Sequence, residues 1–365
     1  MTARTKVLVA MSGGVDSSVA AALLLEQGYD VIGVTMQIWP RSGAEHRSGC
    51  CSLDAVEDAR RVADLLGIPY YVLNMRDVFA ATVIDYFCDE YLHGRTPNPC
   101  IACNRYVKFD ALMKKADALE ADYVATGHYA RIERLGERWV LKRGLDRAKD
   151  QSYVLYPLTQ QQMKRVLFPL GEYTKEKTRE KARALGLRTA EKPESQEICF
   201  VPNDDYGEFL KSRRPGEIMK GPILDEQGNR LGTHGGVAHF TIGQRRGIGI
   251  SSPYPLYVLR IEPNRNAIIV GPRESLYRSA LICEDLNWIS VEGIDAPMRV
   301  HAKIRYTAPE APATLFPCGR DEVRVEFDEP QFAITPGQAA VFYHGDTVVG
   351  GGTISCSQGD PAGSH

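Results

Sequence analysis

Two features of the first 200 residues could take part in chemistry. One is a glycine- and serine-rich loop that could bind an anion, and the other is a set of three cysteines. The loop, Ser12-Gly-Gly-Val-Asp-Ser-Ser18, follows the apolar run Val7–Ala10, which is typical of a buried parallel strand. Gly13 and Gly14 allow the backbone to approach a ligand and to turn its N–H groups inward. The sequence therefore predicts an anion site where a helix follows the loop. Asp16, Ser17 and Ser18 are expected to cap that helix, and the two serines to add hydroxyl hydrogen-bond donors.

The loop differs from two common nucleotide-binding loops. No lysine follows its glycines as a mononucleotide P-loop requires, and the three-glycine spacing of a dinucleotide loop is missing. The seven residues instead resemble the pyrophosphate loop of ATP pyrophosphatases, which split ATP between its α- and β-phosphates to adenylate a substrate. An ordinary glycine-rich turn is the alternative, and the seven matches between a strand and a helix favour the nucleotide.

The cysteines allow more than one interpretation. Cys103 is predicted at the N-terminus of an amphipathic helix, close to Arg105 and Lys108, where a thiol has a lowered pKa and is reactive. Cys100 and Cys103 have the spacing of half a zinc site, but no second Cys-x-x-Cys or His-x-x-x-His follows. Cys199 lies between apolar residues, which in isolation favours a buried and inert thiol.

Alternating strands and helices predict the fold of the first half. The expected strands are 31–36, 70–74 and 123–130, and the expected helices are 52–66, with Ser52 as its cap and Leu53 on its apolar face, and 79–91. This order indicates a doubly wound, mostly parallel sheet. Ligands bind at the carboxyl ends of such strands. Three residues there are therefore candidates for nucleotide contacts or chemistry: Met36, Gly127 and His128.

The pattern changes after about residue 204. A short helix at 206–211 precedes short strands and a hairpin of 256–261 with 267–270, and a basic, glycine-rich run covers 232–249. Beyond residue 277, alternating strands predict a small antiparallel barrel. We expect four segments: a catalytic domain at 1–203, a central domain at 204–276 whose basic run contacts nucleic-acid phosphates, a C-terminal β-barrel at 277–358, and a disordered tail at 359–365.

Composition limits the partners and the compartment. Lys and Arg number 44 against 46 Asp and Glu, so a nucleic acid would have to be held by local basic patches, such as the one expected at 142–153. No apolar signal region, transit segment or bilayer-spanning run is visible. Nine cysteines in a chain of 365 residues do not suggest a secreted disulfide framework. We therefore expect a cytoplasmic protein without membrane contact.

Six motifs occur in one order that resembles the bacterial tRNA-specific 2-thiouridylases. They are Ser12–Ser18, 94–99 with Cys103-Asn104, 125–130, 149–153, 195–200 and 241–247. The resemblance spans residue 6 to about 355 and implies an ATP pyrophosphatase core of the adenine nucleotide α-hydrolase type. In that family the enzyme adenylates O2 of the wobble uridine of tRNA and replaces this oxygen with sulfur from a cysteine persulfide. The implied products are 2-thiouridine, AMP and pyrophosphate.

The resemblance also assigns roles to residues. Cys199 resembles the persulfide-bearing cysteine, and Cys103 resembles its partner nucleophile, with which it can form a disulfide bond. The implied ATP site, for ATP with Mg²⁺, comprises Ala10, Met11, Ser12, Gly13, Gly14, Val15, Asp16, Ser17, Met36 and Gly127. The implied contacts with the tRNA anticodon arm are Asn98, Pro99, Cys100, His128, Lys149, Asp150, Gln151, Arg305, Tyr306 and Gln338. The implied sulfur donor is a sulfur-relay protein or a cysteine desulfurase.

Cys100 departs from the family pattern. Many members carry an Asp there to which an acid/base role is assigned, so that role is in doubt in this chain. Three thiols, those of Cys100, Cys103 and Cys199, could also hold an iron–sulfur cluster. The cluster is kept as an alternative mechanism. Two other functions remain open: another pyrophosphate-loop synthetase, which needs no reactive cysteine pair, and a non-catalytic RNA-binding module, which leaves the phosphate loop without a role.

Overall fold

The computed structural model describes residues 4–38, 53–192, 198–201, 205–319 and 321–357 of the 365-residue chain. They divide between two compact units. The first unit draws on Met1–Val83, Cys100–Pro202 and Asp346–Val348, and the second on Ile84–Pro99, Asn203–Gly345 and Val349–His365. The tail at 359–365 and the expected helix cap Ser52 lie outside the described residues. The segment boundaries expected after residues 203 and 276 stay predictions.

A parallel sheet forms the centre of the first unit. The unit's strands are β1 (Lys6–Ala10), β2 (Asp30–Gln37), β3 (Tyr70–Asn74), β4 (Tyr123–Ala125), β5 (Ala130–Leu135), β6 (Arg138–Arg143) and β7 (Val166–Leu167). Five of them lie side by side in the order β3-β2-β1-β4-β7, every neighbouring pair parallel. Val7, Leu8 and Val9 are fully buried, as expected of a strand covered on both faces. The predicted doubly wound sheet is confirmed.

Helices follow most of these strands. In chain order the α-helices of both units are α1 (Val15–Glu26), α2 (Leu53–Leu66), α3 (Arg76–Phe79), α4 (Asp85–Leu92), α5 (Pro99–Ala102), α6 (Leu112–Ala118), α7 (Ser152–Leu155), α8 (Gln160–Met163), α9 (Lys175–Ala184) and α10 (Tyr206–Arg213), of which α4 and α10 belong to the second unit. Two π-helical segments, Ala80–Ile84 and Cys103–Ala111, join α3 to α4 and α5 to α6. Such segments often occur at functional sites.

Two local predictions for this unit are wrong. Leu53 was expected on the buried face of α2 together with Ala59 and Val62, which are buried, but Leu53 is 77% exposed and Ala55 is buried in the first turn instead. The strand expected over 123–130 ends at Ala125. A separate antiparallel hairpin of β5 with β6 begins at Ala130.

The second unit contains a mixed sheet and a closed barrel. Its strands are β8 (Gly221–Leu224), β9 (Arg230–His234), β10 (Tyr257–Glu262), β11 (Ala267–Gly271), β12 (Tyr277–Trp288), β13 (Met298–Lys303), β14 (Ala311–Cys318), β15 (Glu322–Phe332), β16 (Ala339–His344) and β17 (Thr347–Ser357). The sheet has the order β10-β11-β8-β9, and the expected hairpin of β10 with β11 is present. The barrel runs β12-β15-β14-β13-β16-β17 and closes because β12 also pairs with β17.

Alternation along the strands builds the barrel core. In β13, Val300 and Ala302 are buried, whereas Arg299 and His301 are exposed. Val323, Val325 and other inward-facing residues complete one apolar cluster. The predicted C-terminal antiparallel barrel is therefore confirmed.

Candidate active site

The loop between β1 and α1 needs glycine for a steric reason. Gly13 has φ +69°, and a Cβ added to it would lie 2.2 Å from the carbonyl oxygen of Ala55 on α2. The loop is braced from within: the Ser12 N–H donates to Ser17 Oγ at 3.1 Å, and Ser18 Oγ donates to the Gly14 carbonyl at 2.8 Å. The backbone is therefore fixed in a tight turn directly before the helix.

The N-terminus of α1 has the character of an anion site. Gly14 occupies the N-cap position and no side chain caps the helix, so the expected capping by Asp16, Ser17 and Ser18 is wrong. The two serine hydroxyls are used within the loop instead. The first-turn N–H groups of a helix have no intrahelical acceptor, and the helix dipole favours negative charge there. This end of α1 can bind a phosphate group.

Asp16 is the carboxylate at this helix end, and two residues from distant parts of the chain contact it. The Nζ of Lys175, at the start of α9, lies 2.8 Å from both carboxylate oxygens. The hydroxyl of Tyr129 donates to Asp16 Oδ1 at 2.7 Å. Asp16 therefore lies in an ion pair rather than in a helix cap.

A second lysine, Lys192, contacts the loop. Lys192 Nζ donates to the carbonyl oxygen of Gly13 at 3.1 Å and pairs with Asp58 of α2 at 2.9 Å. The loop thus carries two ammonium groups within hydrogen-bonding distance of its own atoms. Neither lysine belongs to the loop motif in the sequence.

Gly127 lies against the start of α1, and its contact with ATP stays a prediction. A Cβ on Gly127 would lie 2.7 Å from the backbone nitrogen of Ser17 and 2.8 Å from the carbonyl carbon of Asp16. The close approach that glycine permits here is therefore to the protein's own helix. Met36, next to the last residue of β2, is half-buried at the carboxyl end of that strand. Its contact with an adenine ring stays a prediction.

Cys103 does not begin a helix. The helix starts at Pro99, so Cys103 is its fifth residue and the first residue of the π-helical segment. The predicted place of Cys103 at a helix N-terminus is therefore wrong, and Cys103 lies beyond the first turn, the part of a helix in which the dipole acts on a side chain. The next residue, Asn104, is 2% exposed and donates from Nδ2 to the Val154 carbonyl at 2.9 Å. This bond joins the Cys103 segment to α7.

Cys199 is half-buried and is held by its neighbour. Phe200 is 1% exposed and packs edge-to-face on Phe79 of α3, with ring centroids 5.7 Å apart. Helix α3 in turn packs against the π-helical segment that begins at Cys103. Phe200 therefore anchors the short segment 198–201 on the helix that neighbours the Cys103 segment. Full burial, the default expectation for Cys199, is not observed.

Cys100 is exposed, and its thiol, like those of Cys103 and Cys199, takes part in no disulfide. Across the described ranges, no group of three or more His, Cys, Asp or Glu side chains is placed to hold a metal ion. The three cysteines, all of them described, thus form no such group in this structure. Asp16 is the carboxylate at the loop, and both of its oxygens accept hydrogen bonds from Lys175.

His128 lies in a buried and positively charged setting. Its Nδ1 is 2.6 Å from the Thr126 hydroxyl and its Nε2 is 3.3 Å from Lys108 Nζ. Burial, together with the ammonium of Lys108, lowers the pKa of His128 well below its ordinary value. The imidazole is therefore neutral near pH 7. Its predicted contact with tRNA remains a prediction, and the side chain is 8% exposed.

The segment expected to be a solvated basic loop is partly built into the fold. Asp150 accepts from the N–H groups of Gly144 and Ser152, and Gln151 Oε1 accepts from the N–H of Tyr129. Tyr153, in α7, is fully buried. Asp150 and Gln151 therefore form hydrogen bonds within the fold, and Lys149 beside them is half-buried.

The remaining predicted RNA contacts belong to the second unit. Gln338 donates to the Thr96 carbonyl at 2.7 Å, so it fixes the loop that leads to Asn98 and Pro99. Arg305 donates to the Ala333 carbonyl and to Thr335 Oγ1. Tyr306 is 41% exposed, with the Lys303 ammonium 5.7 Å from its ring centroid.

Known proteins match this chain along almost its whole length. The family described as the tRNA methyl transferase HUP domain matches residues 5–203. A tRNA methyl transferase PRC-barrel domain matches residues 207–272, and an aminomethyltransferase β-barrel domain matches residues 278–354. The tRNA-specific 2-thiouridylase MnmA of Symbiobacterium thermophilum is 58% identical over 357 residues, which cover 96% of this chain and 92% of that protein. The chain belongs to the tRNA-specific 2-thiouridylase family.

Other relatives agree with this membership. The 2-thiouridylase MnmA of Carboxydothermus hydrogenoformans is also 58% identical, over 96% of this chain and 98% of its own length. A solved complex of a 4-thiouridine synthetase with RNA and bound ATP is 20% identical over 58% of this chain and 51% of its own, with a TM-score of 0.38. That likeness is too distant to assign fold or function.

Three residues of this 2-thiouridylase-family site were missed in the sequence: Lys175, Lys192 and Tyr129. Tyr129 stands inside the motif at 125–130, which was the one available signal. Lys175 and Lys192 lie 159 and 179 residues from their partners in the loop and belong to no motif, so no local pattern could have found them.

In the described part of the chain, no helix is long and apolar enough to cross a membrane.

Proposed function

We propose that this protein is a tRNA-uridine 2-sulfurtransferase, which uses ATP to convert the wobble uridine of tRNA into 2-thiouridine. The observation that carries the proposal is the presence, in one compact unit, of the anion-binding end of α1 and of the thiols of Cys103 and Cys199. Adenylation chemistry needs the first feature, and sulfur transfer needs the second. Membership of the 2-thiouridylase family supports the same substrate and reaction.

The first step activates the uridine. Its O2 attacks the α-phosphorus of ATP, the bond from that phosphorus to the bridging oxygen breaks, and pyrophosphate leaves with the electron pair. The first-turn N–H groups of α1 are suited to hold the phosphates. The Mg²⁺ that accompanies ATP would be held mainly by phosphate oxygens and water, with Asp16 as the nearest carboxylate of the loop. The product is uridine whose O2 carries AMP.

The second step delivers sulfur. A cysteine desulfurase or a sulfur-relay protein loads Cys199 with a persulfide, whose terminal sulfur attacks C2 of the uridine and displaces AMP. The thiolate of Cys103 then attacks Cys199 Sγ, which forms a disulfide and releases 2-thiouridine. Two electrons from an external thiol reductant restore both cysteines for the next cycle. The half-buried positions of the two cysteines suit thiols that must be reached by large partners.

Mass spectrometry of tRNA nucleosides tests the whole reaction. Purified protein is incubated with unmodified tRNA, ATP, a thiol reductant, and a cysteine desulfurase with free cysteine as the source of persulfide sulfur; a control omits the desulfurase. We expect 2-thiouridine only in the complete mixture, together with AMP and pyrophosphate in amounts that match it. Formation of AMP and pyrophosphate on a small acid or amide substrate, without modified tRNA, would instead indicate another pyrophosphate-loop synthetase.

A further inference from the structure

Asn104, the residue after Cys103, is a polar side chain in the interior of the first unit. It is 2% exposed, and its Nδ2 donates to the carbonyl oxygen of Val154 at 2.9 Å. Val154 belongs to the last turn of α7, where backbone carbonyl groups have no intrahelical partner. Asn104 therefore ties the start of the Cys103 segment to the end of α7.

The other polar atom of the same amide gains nothing from burial. Asn104 Oδ1 is buried and has no hydrogen-bond partner among the described residues. A buried acceptor without a partner destabilises the folded state, because it has given up its hydrogen bonds with water. A leucine of similar size would leave no such oxygen. The stability of the fold therefore does not explain why an amide stands beside Cys103.

Helix α7 is a firm anchor for this amide. All four of its residues are buried, three of them completely. Asp150 accepts hydrogen bonds from both the N–H and the hydroxyl of Ser152, at 3.1 and 2.8 Å. The Gln151 N–H donates to the Tyr129 carbonyl at 3.0 Å. A hydrogen bond to α7 consequently fixes the position of Asn104.

The π-helical form of the segment makes this bond a control on direction. The segment covers Cys103–Ala111, between α5 and α6. A π-helical N–H bonds to the carbonyl five residues back, and an α-helical one to the carbonyl four back. Conversion to an α-helix would shift this register by one residue, which turns Cys103 and Asn104 by about 100° relative to α6. Asn104 could then no longer face Val154. The bond thus maintains the direction of the Cys103 side chain.

We infer that Asn104 is a positioning residue for sulfur transfer, which holds Cys103 in the direction from which its thiolate attacks Cys199. This inference rests on the proposed function. In that attack a bond forms between the two cysteine sulfurs, and the bond from Cys199 Sγ to the transferred sulfur breaks. The electron pair leaves with the sulfur of 2-thiouridine. Asn104 touches no reacting atom and transfers no proton.

A single turnover of the full-length protein tests the inference. The protein is loaded with persulfide by a cysteine desulfurase and free cysteine, separated from both, and mixed with ATP and unmodified tRNA without reductant. Asn104→Leu should release pyrophosphate within about twofold of the wild-type rate, because adenylation does not use Cys103. Its release of 2-thiouridine should be about 10- to 100-fold slower, the effect of a misplaced reacting group.

The slow step also has a signature that loss of stability would not produce. In Asn104→Leu the tRNA should accumulate joined through sulfur to Cys199, as an adduct that an added thiol cleaves. Asn104→Ala removes the same hydrogen bond and cannot overpack the interior, so it should give the same adduct. Melting temperatures identify which of the two variants is folded.

Gln162→Leu is the matched control. Gln162 Nε2 donates to the Phe109 carbonyl at 2.6 Å, near the other end of the same π-helical segment. The Gln162 side chain also completes the capping box of α8, so its loss should lower the melting temperature. Release of 2-thiouridine should nevertheless stay at the wild-type rate, because the Asn104 bond is intact.

Three results would overturn the inference. One is release of 2-thiouridine at the wild-type rate by a folded Asn104 variant. Another is equal slowing of pyrophosphate and 2-thiouridine, since Asn104 would then act before sulfur transfer. The third is the same adduct in Gln162→Leu, because general loosening of the segment would then suffice. If the wild type itself forms no 2-thiouridine, the proposed function fails, whereas an active wild type with equally active Asn104 variants contradicts the inference alone.

Discussion

The Nε2 atom of His128 lies 3.3 Å from the ammonium nitrogen of Lys108. An imidazole that faces a cation inside a protein is more stable neutral than protonated, because a second positive charge would be repelled and desolvated. Nε2 therefore accepts a hydrogen bond from Lys108, and Nδ1 carries the proton toward Thr126. The rings of Phe109 and Phe168 flank the imidazole, with centroids 6.1 and 5.8 Å away.

This setting predicts a pH dependence of stability. The pKa of His128 is well below its ordinary value in the folded protein, so the unfolded chain binds more protons below about pH 6.5. The stability of the folded state is complete above that pH and falls as the pH decreases. Between pH 7.5 and 5.5 the wild type should lose more stability than His128→Gln, by at most about 1.4 kcal/mol, in urea unfolding followed by a probe in the first unit. An identical loss in both proteins would contradict the neutral assignment.

Much of the fold could be predicted because its signals are local. The apolar run at 7–10, the two glycines after it and the alternation in β13 each indicate one structure over a few residues. The start of the Cys103 helix could not be predicted in this way. Pro99 suits the first position of a helix, but the sequence also fitted an extended loop at 97–99. Nor does sequence periodicity specify a π-helical segment, which depends on the hydrogen bonds actually formed.

The site was predicted only in its contiguous part. The loop and the cysteines could be predicted from the sequence because their residues are adjacent or belong to motifs. The Asp16–Lys175 pair joins residues 159 positions apart and exists because α1 and α9 pack together. The burial of Leu53 was predicted wrongly for a related reason. Periodicity indicates which residues form an apolar stripe along a helix, but not at which residue the buried part of the stripe ends. In the first turn of α2 the buried residue is Ala55.

Gly127 allows a test of how tightly the loop must pack. Gly127→Ala would place a methyl group 2.7 Å from the Ser17 nitrogen, so the N-terminus of α1 must shift. We expect a loss of about 1–3 kcal/mol in stability, the usual cost of overpacking, and weaker ATP binding. Gly293→Ala, where an added Cβ meets nothing within 4 Å, is the control. Unchanged melting temperature and ATP affinity in Gly127→Ala would mean that the loop adapts.

The proposed RNA contacts predict a change in salt dependence. Lys149→Gln and Arg305→Gln each remove one cation proposed to contact tRNA phosphate, so together they should reduce the slope of log K against log salt by about 1.4–1.8. Because Arg305 also donates to Thr335, the fold of the variant is checked by its melting temperature. Lys115→Gln, an exposed change on α6, should leave the slope as it is. Filter binding over a range of KCl concentrations measures it, and a wild-type slope in the double variant would place the tRNA elsewhere.

Substitution of single cysteines tests the proposed sulfur transfer directly. In the persulfide mechanism, Cys103→Ser and Cys199→Ser should each abolish 2-thiouridine formation, because each removes one of the two sulfurs that must exchange. Both variants should still bind ATP, since the loop is untouched. Cys100→Ser should keep most of the activity, because the exposed Cys100 thiol has no role in this mechanism.

The iron–sulfur alternative predicts a different pattern for the same variants. If Cys100, Cys103 and Cys199 held a cluster, all three serine variants should be equally inactive, since a cluster needs each thiolate ligand. Protein purified without oxygen should then contain iron and absorb broadly in the visible range. A colourless, iron-free protein that is fully active would eliminate the cluster. An inactive but folded Cys100→Ser variant without iron would instead contradict the two-cysteine mechanism and assign the Cys100 thiol a part in the reaction.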